Sequence, residues 1–148
     1  MLVFDHNQLM PPDELCRLAS IDSELIRRAI AVGCPISDGR ITYDTFSRWI
    51  EENFSLVLAE YPVMTLLPKG WYCDEIQYWV LRPITEWCLH HDQAWLEVGG
   101  PGSDGIAWAV RKDHPGIWAY YPIDNEFVLK ARDANELIQG WKTGSIAV

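Results

Sequence analysis

Positive charge is what this sequence has least of. Lys and Arg number 12 against 21 Asp and Glu, a net charge of −9 over 148 residues. Nucleic acids are gripped chiefly by neutralising phosphates with basic side chains, so this balance argues against a nucleic-acid partner and for a basic one. Paired cysteines are missing too. Cys16, Cys34, Cys73 and Cys88 lie far apart with no C-x-x-C, which reads as reduced thiols and not as a disulfide framework. No apolar run reaches the ~18 residues of a membrane span. The opening "MLVFDHNQLMPP" has neither the basic nor the apolar region of a signal peptide. The expectation is a cytoplasmic protein that keeps away from membranes.

Aromatic rings are what the chain has in excess: eight Trp, six Tyr and four Phe. Such rings bring large buried or contact-forming surfaces. A chain of this length suits one domain, or one domain with a small appendage, and buries roughly two-thirds of its unfolded surface without staples.

Helical signals fill the first part. "PPDELCRLA" starts at Pro12, where a missing N–H costs nothing. "SIDSELIRRAIAVGCP" has Ser20 or Asp22 to cap it, an apolar face of Leu25, Ile26, Ala29 and Ile30, and Gly33 and Pro35 to end it. In "YDTFSRWIEENFSLVL", Phe46, Trp49, Ile50, Phe54 and Val57 recur at helical spacing. The stretch "CDEIQYWVLRPITEWCLHH" carries a stripe of Ile76, Trp79, Val80, Ile84, Trp87 and Cys88, so the spacing predicts a helix over 73–91 that Pro83 kinks or splits. The period then falls to two. "AWLEV", "IAWAV", "IWAYY" and "EFVLKA", separated by turn residues, predict a meander of antiparallel strands. "DANELIQGW" is a closing helix with Asp133 and Glu136 in capping-box spacing, and "SIAV" reads as one more strand. The fold class is α+β: a helical part over 1–60, then over 61–148 an antiparallel mixed sheet covered by helices, with a closing C-terminal helix.

Chemistry finds little foothold. Gly100, Gly102 and Gly105 spell G-x-G-x-x-G, but a dinucleotide cradle needs a helix after the loop and "IAWAV" is a strand. The glycines read as a tight strand connection. Cys88 and His91 would share a helix face with Cys73 upstream, yet His90 points elsewhere and no second ligand pair follows, so no metal and no cofactor are expected. A small Cys/His or metal-dependent hydrolase stands as one alternative, with Cys34, Cys73 or Cys88 served by His6, His90, His91 or His114. A helix-turn-helix adaptor over residues 20–55 stands as another, with Arg27, Arg28, Arg40 and Arg48 to meet phosphate. Residues 1–56 oppose it with nine acidic side chains, five Arg and no Lys. The carboxylates at Glu51–Glu52, Asp74–Glu75 and Asp124–Glu126 read as solvated surface. No catalytic residue is assigned.

In the last third, a Gly/Asp-rich turn ("GGPGSDG") leads into an apolar strand ("IAWAV"), a Pro-Gly turn, an aromatic strand ("GIWAYYP"), an acidic turn ("IDNEF") and a helix with a Leu-Ile-x-x-Trp face. From Val98 to Val148 this order of features resembles the C-terminal half of the Smi/Knr (SUKH) superfamily, which includes bacterial immunity proteins and a fungal cell-wall signalling regulator. "LLPKGW" stands where the family has a Leu-Pro entry, its Asn-Gly turn is missing, and residues 1–60 match nothing in the pattern. The resemblance implies an α+β protein that binds another protein, such as a basic toxin or nuclease, and carries no catalytic residues. Alternation puts Trp118 and Tyr120 on one strand face, against Ile117, Ala119 and Tyr121, with most rings in the core. Asp104, Asp113, Asp124 and Glu126 fall on turns. With Trp118 and Tyr120 they are the candidate protein-binding residues.

Overall fold

A computed structural model describes residues 4–148; Met1–Val3, where the signal-peptide reading begins, lie outside the described residues. Helix α1 (Pro12–Ala19) opens on its proline and stops at Ser20, which turns left-handed at φ 55°. Helix α2 (Ser23–Ala31) is capped by Asp22, whose carboxylate accepts from the Glu24 N–H at 3.0 Å. Gly33, at φ 118°, ends it as expected. Helix α3 (Tyr43–Val57) starts where Thr42 Oγ1 accepts from the Thr45 N–H at 3.0 Å. These helices bury Leu15, then Leu25, Ile26 and Ala29, then Phe46, Ile50 and Val57.

Seven strands follow: β1 (Trp71–Cys73), β2 (Tyr78–Leu81), β3 (Cys88–His90), β4 (Trp95–Gly99), β5 (Ala107–Arg111), β6 (His114–Tyr121) and β7 (Glu126–Ala131). They form one antiparallel sheet in the order β1-β2-β4-β5-β6-β7, with β3 paired to β4 off that path. Helix α4 (Ala134–Thr143) closes the fold. Its cap, Asp133, accepts from the Glu136 N–H at 2.8 Å, while Glu136 turns back to Arg132. Only half of the expected capping box forms.

Two expectations are corrected. Residues 73–91 hold no α-helix: β1 ends at Cys73, β2 and β3 follow, and 3-10 turns occupy Ile84–Glu86 and His91–Gln93. The apolar spacing mimicked a helical stripe, but "YWVL" is mostly ring and β-branched side chains that favour a pleated surface, and Pro83 stops a helix from running on past it. The closing "SIAV" is not a strand; Ile146 packs over Gly140 at the end of α4.

One continuous core runs from Met10 in the helical part to Ile138 in α4, so residues 1–60 and the sheet share their buried interior. Side chains from all four helices enter it. They meet Val80, Leu96, Val98, Trp108, Val110, Ile117 and Ala119 from the sheet's inner face. The outer face has a separate small cluster of Trp95, Ala107 and Ala109, with Trp118, Tyr120 and Phe127 packed against it and no helical residue in it. Both faces are apolar, as the alternation implied, but rings and not helices close the outer one. No helix among the described residues is long and apolar enough to cross a membrane.

Candidate functional site

The glycine loop joins β4 to β5, its antiparallel neighbour, with no helix after it. Gly102, Asp104 and Gly105 are all left-handed (φ 88°, 52° and 70°), and the Ile106 N–H closes a turn onto the Ser103 carbonyl at 3.0 Å. A Cβ on Gly99 would stand 2.1 Å from the Val80 carbonyl oxygen, so that glycine exists for the close approach of β2 to β4. Glycine here serves sheet geometry, not phosphate.

The loop separates two clefts. On one side lies a space of about 340 Å³ among Tyr78, Arg82, Glu97, Ser103 and Asp104. On the other, about 310 Å³ opens between the loop and the β6–β7 turn, walled by Ile106, Tyr121, Pro122 and Ile123 and flanked by Asp104 and Asp124. Ile123, 89% exposed, is the most exposed large apolar residue among those described. The cleft thus combines apolar walls with two solvent-facing carboxylates.

The first cleft, through Ala107, borders the outer face of the sheet. Ala107 and Ala109 form a low floor on β5 over which larger rings lie. The His90 ring stacks on Trp95 at 4.0 Å, Trp95 contacts Tyr120 at 4.7 Å, and Tyr120 contacts Phe127 at 4.8 Å. The Arg111 guanidinium lies 4.6 Å from the Phe127 ring centre and 4.7 Å from that of Trp118. Such stacking holds a guanidinium flat and rigid. Tyr120 donates its hydroxyl to Asn125 Oδ1 at 2.8 Å, tying this face to the acidic β6–β7 turn.

Of the candidate residues, Trp118 and Tyr120 share the outer face, half-buried among the other rings. Asp104 and Asp124 line the same cleft, and Glu126 begins β7 opposite Tyr121 at the same end of the sheet. Asp113 is not with them. It sits in the β5–β6 turn, one five-residue strand away from the glycine loop, or roughly 17 Å along the sheet. Spacing along the chain did not reveal the carboxylate of Glu97. It bridges Arg82 Nη1 at 3.2 Å and His90 Nε2 at 3.0 Å, joining β3, β4 and the residue after β2 at the edge of the first cleft.

Cys73 is buried at the end of β1 and heads no helix. Cys88 lies in a strand, not late in a helix; burial first, then the charges of Asp22 and Glu97, push its thiol up to about 11. Burial alone takes Cys34 to about 11. A thiolate nucleophile needs the opposite shift. Among the described residues, no three His, Cys, Asp or Glu side chains gather as a metal site. Of the four arginines weighed for DNA, Arg27 and Arg28 pair with Glu24, Arg28 also with Glu60, and Arg48 with Asp44, while Arg40 stands in the turn before α3, bridged to Ser37. No family model, curated protein or solved structure matches this chain.

Proposed function

We propose that this is a non-enzymatic binding protein of Smi/Knr type that acts in the cytoplasm. In this reading it captures a basic partner protein, a toxin or nuclease for instance, and neutralises or scaffolds it as an immunity or regulatory protein does. The observation that carries the reading is the cleft between the glycine loop and the β6–β7 turn. Asp104 and Asp124 flank apolar walls there, beside the exposed Ile123. That combination suits a lysyl or arginyl side chain, whose methylene stem packs on apolar surface while its charge meets a carboxylate. The opposite, outer face of the same sheet end carries Tyr120 and Phe127 with Trp118, rigid rings that lose little entropy on contact. The net charge of −9 extends the same complementarity to longer range and speeds encounter.

The test is affinity capture from the source cell, followed by kinetics with the purified partner. The expected partner is basic and associates more slowly as salt rises. Asp104→Asn, which suits the left-handed backbone there, with Asp124→Lys cuts affinity by about tenfold or more, mostly through the association rate, while the melting temperature stays put. A partner held equally well by the double variant, or one that proves to be duplex DNA, overturns the reading.

A further inference from the structure

The hairpin of β1 and β2 reaches the surface described so far only through Tyr78, which lines the first cleft. Tyr72 and Trp79 face each other across it in register, their rings edge to face at 5.4 Å. They are 40% and 41% exposed. Ile76 is exposed in the turn, and Gln77, left-handed at φ 51°, brings the chain back. Paired Trp and Tyr in the open are unusual on a soluble surface and are the residues that contact surfaces concentrate. Asp74 and Glu75 occupy the same turn, both exposed, and residues 70–81 contain no Lys or Arg. β1 ends the sheet, so among the described residues one edge of its backbone has no strand beside it.

We propose that this hairpin is a second protein-docking site, one that receives a basic segment of a partner in extended conformation. The segment adds along the free edge of β1, where main-chain hydrogen bonds set its register. Its Lys or Arg side chains lie against the faces of Tyr72 and Trp79, whose ring quadrupoles attract cations. Asp74 and Glu75 supply the complementary charge. A second copy of this chain is a poor occupant. It would bring the same two carboxylates against each other on molecules that each carry −9. The proposal stands apart from the cleft at Asp104 and Asp124, and either can fail alone.

The probe is a fluorescein-labelled peptide of alternating Arg and Thr, with the same peptide carrying Glu for Arg as control, read by polarisation. Tyr72→Ser with Trp79→Ser leaves the net charge untouched, so a diffuse attraction to an acidic protein would survive it. The expected result is about tenfold weaker binding of the arginine peptide. Tyr72→Phe with Trp79→Tyr, which keeps two rings, retains most of the affinity. Asp74→Asn with Glu75→Gln and Asp104→Asn with Asp124→Asn remove equal charge, and the first pair is expected to weaken binding more. Three results overturn the proposal: unchanged affinity in the double serine variant, equal loss in the two charge-neutralised pairs, or wild-type self-association on sedimentation that the serine variant abolishes.

Discussion

The Asp22 carboxylate accepts the backbone N–H of Leu89 at 2.6 Å, across 67 residues of chain. Its other oxygen caps α2 through the Glu24 N–H. One side chain therefore ends a helix and pins strand β3 to it, which is how the helical part and the sheet are brought into register around their shared core. Asp22→Ala removes the cap, worth about 0.5–2 kcal/mol, and leaves the Leu89 N–H unpaired at about 1–3 kcal/mol. The expected loss is about 2–4 kcal/mol in urea unfolding. Asp22→Asn keeps one of the two acceptors: with its oxygen on the Glu24 N–H it still caps the helix, but its NH2 then faces the Leu89 N–H, so the expected loss is about 1–3 kcal/mol, smaller than that of alanine. Equal losses in the two variants would show that the helix cap contributes nothing measurable beside the bond to Leu89.

Gly99 marks the tightest crossing in the sheet. A methyl group there would sit 2.1 Å from the Val80 carbonyl oxygen and 3.0 Å from the Leu81 Cα, both backbone atoms that no rotamer change can move. Gly99→Ala is therefore expected to destabilise by about 3 kcal/mol, the upper end of what overpacking costs. Hydrogen exchange is expected to show the loss first at Arg82 and Gly100, whose amides bond across this crossing to Val98 and Val80. A neutral Gly99→Ala would mean that β2 and β4 are not held this close.

Capping chemistry made most of the helices legible in advance. Pro12, Asp22, Gly33 and Asp133 each mark an end that local backbone rules govern, and each stands where those rules put it. The strands after residue 94 were legible for a similar reason, since alternation over five or more residues has no helical equivalent. Between 71 and 90 the strands are three or four residues long. Over so short a run a period of two cannot be told from a helical stripe, and Trp79, Val80 and Ile84 satisfied both. Of the candidate residues, alternation placed Trp118 and Tyr120 on one face, and turn position placed Asp104, Asp124 and Glu126 at one end of the sheet. Glu97 meets Arg82 and His90 only because β3 folds back on β4, a pairing that local sequence does not encode. Asp113 looked equivalent to Asp104 as an acidic turn residue, but opposite turns of a meander lie at opposite ends of the sheet.

The thiols set an alkaline limit to stability. Burial raises Cys34 from 9.0 to about 11 in the folded protein. The unfolded chain loses this proton first, so the favourable term is complete below pH 9.0 and disappears as pH climbs to about 11. For Cys34 this amounts to about 3 kcal/mol. Cys88 rises to about 11 as well and steepens the fall, and the raised hydroxyl of buried Tyr61 extends it above pH 10.0. Unfolding curves of Cys34→Ala across this window are expected to show a shallower decline than the wild type. An identical slope would place the Cys34 thiol in contact with water.

Two buried tryptophans offer a matched comparison. Trp87 and Trp108 are 2% and 0% exposed. Each packs edge to face on another ring: Trp87 on Phe54 at 6.1 Å and Trp108 on Trp141 at 6.0 Å. They differ in their indole N–H groups. That of Trp87 donates to the Arg82 carbonyl at 2.8 Å. That of Trp108 has no acceptor, the only such buried side-chain polar atom among the described residues. Replacing either by Phe removes the same ring volume, so the packing loss is similar at the two sites. Trp87→Phe also breaks a hydrogen bond and strands its acceptor, whereas Trp108→Phe takes away a donor that was already paying its desolvation cost. Trp87→Phe is therefore expected to be the more destabilising of the two by about 1–3 kcal/mol in urea or thermal unfolding. If Trp108→Phe proves equally costly, its N–H has a partner after all, and a buried water against the inner face of β5 is the one to look for by high-resolution crystallography.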